Sequence, residues 1–247
     1  MLILAHRGLP GIDCPENSVA AVAAGFDRGA DGVEVDLRLT ADGVLAVSHD
    51  ADLHRLAGVP VGVAGSTWAD LVATAGKRDV RLARAEEVLD LAAGRRVVLE
   101  VKQPPPGPVT ADLTAVAVVD LLGRAQRAGV DLDVTVSSFA PHIVAAVRTL
   151  LPHASGVRTA LLGCPEDQAT AVLRQAVYYG HAEVHPHVRS VLDDPAVVAE
   201  AHDRGVAVVP WTVNARYDVE RLAMLGVSGL ITDVPATVRA TISRASV

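Results

Sequence analysis

Trp, Phe and Tyr together make up only 3% of the 247 residues. A core of this size must therefore be built from Ala, Val and Leu, which suits buried parallel strands covered by Ala-rich helices better than a β-sandwich. Cysteine is nearly absent. Cys14 and Cys164 lack the CxxC or Cys/His spacing of a structural zinc site, so both read as free thiols in a reducing compartment. No basic block occurs, and 22 Lys plus Arg against 29 Asp plus Glu leave a net charge of -7, which argues against a nucleic-acid ligand. No apolar run approaches membrane-spanning length. Met1 to Ala5 lead into a core-strand pattern without the features of a secretion signal, so a cytoplasmic protein without stable membrane insertion is expected.

What is present is a regular alternation. Short Val/Ile/Leu runs recur at Leu2 to Ala5, Gly32 to Leu37, Val97 to Val101, Val134 to Ser137, Val157 to Leu162, Ala182 to His185, Val206 to Trp211 and Gly229 to Thr232. Ala/Leu-rich segments with helical spacing, such as Ala83 to Ala93 and Val191 to Asp203, lie between most of them. The expected fold class is α/β: a single eight-stranded parallel (β/α) barrel of the TIM type, one domain over residues 1–247. The open doubly wound alternative ranks below it, because no GxGxxG opens the first helix and the turn reads His6-Arg7-Gly8 instead. Val44 to Ser48 reads as an extra short strand. Residues 51–77 read as a loop-rich insertion over the barrel mouth, and Pro104 to Pro108 as a stiff loop.

The chemistry shows in where charges interrupt apolar strands. Strand periodicity puts Glu34 and Asp36 on one face and Val33, Val35 and Leu37 on the other. Glu100 and Lys102 likewise share a face opposite Leu99 and Val101. With the apolar faces against helices, three carboxylates and one ammonium converge inside the barrel at its carboxyl end, where barrel active sites lie. A single acid at a strand end is most simply an ordinary ion pair. Three buried carboxylates against one Lys leave uncompensated charge, which a divalent cation resolves; an all-oxygen set favours Mg²⁺ or Ca²⁺ over Zn²⁺.

His6 ends the first strand and His49 the extra one, so both face this mouth with the proton affinity suited to general acid and base work. The other seven histidines read as structural, His187 being the one to watch. Arg7 and Lys102 are placed to meet phosphodiester oxygens. In Pro15-Glu16-Asn17-Ser18, either Asn17 or Ser18 suits a helix N-cap.

In order and spacing, several motifs resemble the amino-terminal signature of the glycerophosphodiester phosphodiesterase family: His6-Arg7-Gly8, Pro15-Glu16-Asn17-Ser18, Gly29-Ala30-Asp31, Glu34-x-Asp36, Asp42-Gly43 and His49-Asp50. Glu86-Glu87-Val88-Leu89, Glu100-x-Lys102, Ser138-Phe139, Trp211-Thr212-Val213-Asn214 and Thr232-Asp233-x-Pro235 extend the resemblance over nearly the whole chain. It implies a barrel in which Glu34, Asp36 and Glu100 hold a divalent metal, His6 and His49 are general acid and base, and Arg7 and Lys102 contact phosphate. Trp211 and Phe139 would line the glycerol side, and a small glycerophosphodiester would yield glycerol 3-phosphate and an alcohol. A lysophospholipase D-like or cyclising activity on lysophospholipids is the alternative, followed by a non-catalytic metal and phosphate binding barrel. Ser18 stands where the family usually has Thr. Leu56-Ala57 replaces a Thr pair and Leu82-Ala83-Arg84-Ala85 an Ile-Pro-Thr-Leu-like stretch, which bears on substrate choice rather than catalysis.

Overall fold

The computed structural model describes residues 1–11, 14–152 and 155–245. Strand β1 (Leu2–His6) leads to helix α1 (Val19–Asp27), β2 (Gly32–Leu39) and β3 (Leu45–Val47). Helices α2 (His54–Ala57) and α3 (Trp68–Gly76) precede β4 (Ala83–Arg84) and α4 (Ala85–Leu91). Then follow β5 (Arg96–Val101), α5 (Ala111–Arg127), β6 (Asp133–Ser138), α6 (Pro141–Leu150), β7 (Arg158–Leu162), α7 (Ala169–Tyr179) and β8 (Glu183–His185). The chain continues through α8 (Val188–Asp193), α9 (Ala196–Asp203), β9 (Ala207–Val208), α10 (Arg216–Leu225), β10 (Gly229–Thr232) and α11 (Pro235–Ala245).

Eight strands pair in parallel in the order β10-β1-β2-β5-β6-β7-β8-β9. Two backbone bonds close the ring: Ser228 N–H to Val208 O at 2.9 Å and Ile231 N–H to Pro210 O at 2.9 Å. This is the expected (β/α) barrel. Val33, Val35 and Leu37 of β2 and Val97, Leu99 and Val101 of β5 pack with Val88, Leu89, Leu121 and Leu122 in the strand–helix layer. Leu4, Val98, Val209 and Ile231 form a separate apolar cluster inside the barrel. Side-chain alternation has thus sorted two faces of the same strands into two cores. Gly32 shows how tight the strand packing is: a Cβ there would stand 2.4 Å from Arg96 O and 2.8 Å from Leu4.

Four expectations need correction. Ala83 and Arg84 are not helical; they pair antiparallel with β3, Val47 with Ala83 and Ala46 with Arg84, so α4 begins only at Ala85. The extended Arg84 N–H is taken up by the Glu87 carboxylate at 2.8 Å, a stable helix start just past the strand. Val191 to Asp203 is two helices, because Pro195 has no N–H and forces the preceding residue out of the helical region; Asp194 has φ −133 and ψ 73. Strand β9 stops at Val208 instead of reaching Trp211, two residues short of Pro210, which cannot donate to a ladder. Within residues 51–77, α2 and α3 stand where a loop-rich stretch was expected. Leu53, Ala57, Val63, Trp68, Leu71 and Ala75 cluster there with Ala46 of β3. No helix among the described residues is long and apolar enough to cross a membrane.

Candidate active site

The register of the sheet assembles the acidic group. Asp36 of β2 is the direct partner of Glu100 of β5, and Glu34 lies one inward step below Asp36 on the same strand. One carboxylate oxygen from each of Glu34, Asp36 and Glu100 lies within 4.8 Å of the others. All three are buried, at 3%, 1% and 8% exposure. Lys102, just past β5, sends Nζ to Asp36 Oδ1 at 2.7 Å and to Glu100 Oε1.

The turn after β1 serves the same cluster. Arg7 adopts a left-handed backbone, φ 54, that directs its N–H to Glu34 Oε2 at 3.0 Å. Its guanidinium pairs with Glu16 at 3.0 Å and has Nε 3.5 Å from Asp36 Oδ2, an ion-pair approach without hydrogen-bond geometry. Ser18 is the N-cap of α1, its Oγ accepting the Ala21 N–H at 3.1 Å. Asn17 is not a cap. Its Nδ2 donates to Asp36 Oδ2 at 2.7 Å while its Oδ1 accepts the Asp36 N–H at 3.0 Å.

Burial and the charge of Asp36 push the Glu34 carboxyl up to about 8, and the same two causes raise Glu100. Burial also works to raise Asp36, but Lys102 outweighs it and holds Asp36 below the usual range. Lys102 in turn is raised, its own burial overcome by Asp36 and Glu100. One ammonium therefore stabilises one carboxylate well and leaves the other two strained. Glu34 Oε1 is buried with no hydrogen-bond partner among the described residues. The all-carboxylate donor set fits a hard divalent cation, for which the cluster offers three ligands.

His6 Nδ1 lies 2.7 Å from Asp233 Oδ1, and Asn214 donates to the other Asp233 oxygen at 2.6 Å. His49 repeats the arrangement: Nδ1 lies 2.7 Å from Asp50 Oδ1, and Asp50 Oδ2 accepts from Arg55 at 2.6 Å. Arg55 continues to Glu16 through two bonds of 2.6 and 3.0 Å, tying α2 to the rim of the mouth. Arg38 donates twice to the His49 carbonyl, at 3.0 and 2.8 Å. Burial opposes charging of His6, yet the Asp233 hydrogen bond and nearby Glu34 leave it raised. At His49 burial prevails over Asp50 and the ring is lowered.

Phe139 and His187 each meet Trp211 edge to face, with ring centroids 5.3 Å apart, and Lys102 Nζ lies 6.0 Å from the Phe139 ring. Trp211 Nε1 donates to His185 O at 3.0 Å. His187 caps α8, accepting the Arg189 N–H at 3.3 Å. All nine singled-out positions, His6, Arg7, Glu34, Asp36, His49, Glu100, Lys102, Phe139 and Trp211, thus belong to strands or turns at the carboxyl end of the barrel. Reading the sequence missed Asp50, Asp233, Asn214, Glu16, Arg55 and Arg38 as orienting groups. Only Asp50, directly after His49, and Asp233, directly after β10, carried a local signal.

A closed barrel with carboxylates, histidines and cations gathered at its carboxyl-end mouth defines an enzyme of the (β/α) barrel class. Residues 6–237 match the profile of the Glycerophosphoryl diester phosphodiesterase family, and the chain belongs to that family. It is 28% identical over 249 residues to a glycerophosphodiester phosphodiesterase of Caldanaerobacter subterraneus subsp. tengcongensis, covering 96% of this chain and 95% of that protein. Among solved structures, a glycerophosphodiester phosphodiesterase from Parabacteroides distasonis shares the fold, with TM-score 0.80, 23% identity and coverage of 99% and 98%. So does a phosphodiesterase of Oleispira antarctica in complex with the product sn-glycerol-3-phosphate, with TM-score 0.81, 22% identity and coverage of 98% and 97%.

Proposed function

We propose that this protein is a metal-dependent phosphodiesterase that hydrolyses small glycerophosphodiesters to glycerol 3-phosphate and an alcohol, working as one barrel domain over residues 1–247. The observation that carries the reading is the joint placement of Glu34, Asp36 and Glu100 with two imidazoles, each held at Nδ1 by an aspartate. Fixing Nδ1 leaves Nε2 of His6 and of His49 for substrate, the orientation an acid–base pair requires.

In this reading Glu34, Asp36 and Glu100 hold Mg²⁺ or Ca²⁺. When bound, the ion supplies withdrawal of charge from the phosphoryl oxygens and activation of a hydroxyl or water. Arg7 and Lys102 hold the phosphate oxygens. Lys102 is suited to this because its charge is shared between Asp36 and Glu100 and stays fixed at the site. His6 and His49 exchange protons with the attacking and leaving oxygens. Trp211 and Phe139, braced edge to face, line the glycerol side. The family membership and the named activity of the Caldanaerobacter relative support this substrate class.

The test is release of glycerol 3-phosphate from glycerophosphocholine and related diesters by metal-stripped protein, before and after Mg²⁺ or Ca²⁺ is added. Turnover should appear with the ion and vanish with chelator. Metal-independent turnover, or none on any diester, contradicts the reading.

A further inference from the structure

Inside a closed eight-stranded barrel, inward side chains stack in layers of four drawn from alternate strands, with a stagger of about one residue per strand. Following the register around this barrel, Leu4, Val98, Ala160 and Val209 form one layer, from β1, β5, β7 and the stretch following β9. The next layer toward the mouth takes Glu34 from β2, Ser137 from β6, His185 just across the barrel on β8, and Ile231 from β10.

Three of these four side chains are polar, and all three are sealed from solvent: Glu34 at 3%, Ser137 at 1% and His185 at 0% exposure. Each also carries an atom without a hydrogen-bond partner among the described residues, namely Glu34 Oε1, Ser137 Oγ and His185 Nδ1. Native interiors rarely strand one such group, and here three share a layer. Beneath them Ala160 is the shortest side chain of its layer, on the strand between those of Ser137 and His185.

The chemistry of the three atoms is complementary. Glu183, held ionised by Arg96 at 2.6 Å and Arg158 at 3.0 Å, lies 3.1 Å from His185 Nε2. That ring nitrogen therefore donates, and in the neutral ring this leaves a lone pair on His185 Nδ1. Once Glu34 is ionised to hold the ion, its Oε1 accepts, and the Ser137 hydroxyl is free to donate. Two acceptors and one donor around a space match a single water, which offers two protons and accepts one.

We propose that Glu34 Oε1, Ser137 Oγ and His185 Nδ1 enclose a structural water directly below the carboxylate trio, and that Ser137 and His185 act through it as positioning residues for Glu34. The inference rests on the proposed role of Glu34 as a metal ligand. Held by the Arg7 N–H on one oxygen and by this water on the other, the ionised Glu34 carboxylate is kept in one orientation toward the ion. The Ser137–His185 pair then sets divalent affinity while touching neither ion nor substrate, and it links the mouth to the Glu183 network at the base of the barrel.

Two measurements decide it. Calorimetric titration of Mg²⁺ or Ca²⁺ into metal-stripped protein should show Ser137→Ala weakening the affinity by roughly 10-fold or more, the usual cost of losing an outer hydrogen bond to a ligand. Ser137→Cys, which keeps the volume with a weaker donor, should fall between, and turnover at saturating metal should stay near wild type for both. An unchanged affinity in both variants, or a loss of melting temperature without a loss of affinity, overturns the proposal. Independently, a crystal structure at high resolution should show ordered solvent within hydrogen-bond distance of all three atoms, lost in Ser137→Val. A dry layer, or direct bonds among the three side chains, overturns it too. Should the wild type take up no divalent ion, the proposed function falls, and the crystallographic result still decides whether the water site exists.

Discussion

His6 and His49 sit in matched frames yet are biased in opposite directions. Each has Nδ1 against an aspartate, but Glu34 adds to the charging of His6 while burial dominates at His49. In metal-free protein, NMR titration should therefore find His6 gaining its proton above the ordinary imidazole value near 6.5 and His49 below it. Coincident titrations would show that the two frames do not distinguish the rings. Turnover of His6→Ala and of His49→Ala should each fall by roughly 100-fold or more, the usual contribution of general acid–base catalysis. Asn17 and Ser18 separate function from folding within two adjacent residues. Ser18→Ala removes the α1 cap and should cost about 1 kcal/mol in chemical denaturation, with divalent affinity unchanged. Asn17→Gly keeps the left-handed backbone at φ 58 but releases Asp36, so it should weaken divalent binding instead. If the two variants lose the same property, the division of labour is wrong.

Among the elements, His181 offers a stability test remote from the mouth. It lies two residues before β8, with Nδ1 3.0 Å from Thr159 Oγ1 of β7, and burial together with Arg148 pushes it down to about 4. The folded protein thus favours the neutral ring. Above pH 6.5 both folded and unfolded chains carry it neutral and stability is full. As the pH falls from 6.5 toward 4, the unfolded chain takes up a proton that the folded one refuses, so stability drops. His181→Asn should flatten that part of the pH–stability curve; an unaltered slope assigns the acid sensitivity elsewhere. The elements themselves were mostly legible because their signals are local. Alternation in Gly32 to Leu37 and Val97 to Val101 located the strands and told inward from outward faces. Strand β4 was not legible, since two residues carry no periodicity and only the waiting edge of β3 makes them a strand. The break between α8 and α9 was written in Pro195, but the apolar spacing on either side ran through it. Of the two candidate caps Ser18 took the role, and the bond of Asn17 to Asp36 was not legible because capping preference is visible in sequence, whereas an aspartate 19 positions away is not. Asp233 directly follows β10 in the sequence, but its reach to His6 shows only once β10 lies beside β1.

The whole barrel separates its charges by depth. At the base Arg96, Arg158, Asp133 and buried Glu183 form an ion network in which two arginines match two carboxylates. Leu4, Val98, Val209 and Ile231 form an apolar plug within the lumen. At the mouth three buried carboxylates gather around Lys102, and Glu34 is pushed up to about 8. In the proposed function a doubly charged ligand completes this cluster. The most direct test is calorimetric titration of Mg²⁺ or Ca²⁺ into metal-stripped wild type and into a Glu34→Gln, Asp36→Asn, Glu100→Gln triple variant, near pH 7 and in buffers of different ionisation enthalpy. The account predicts saturable binding with proton release in the wild type, because Glu34 must surrender its proton, and none in the variant. Equal titrations of the two proteins, or no binding by the wild type, would contradict it.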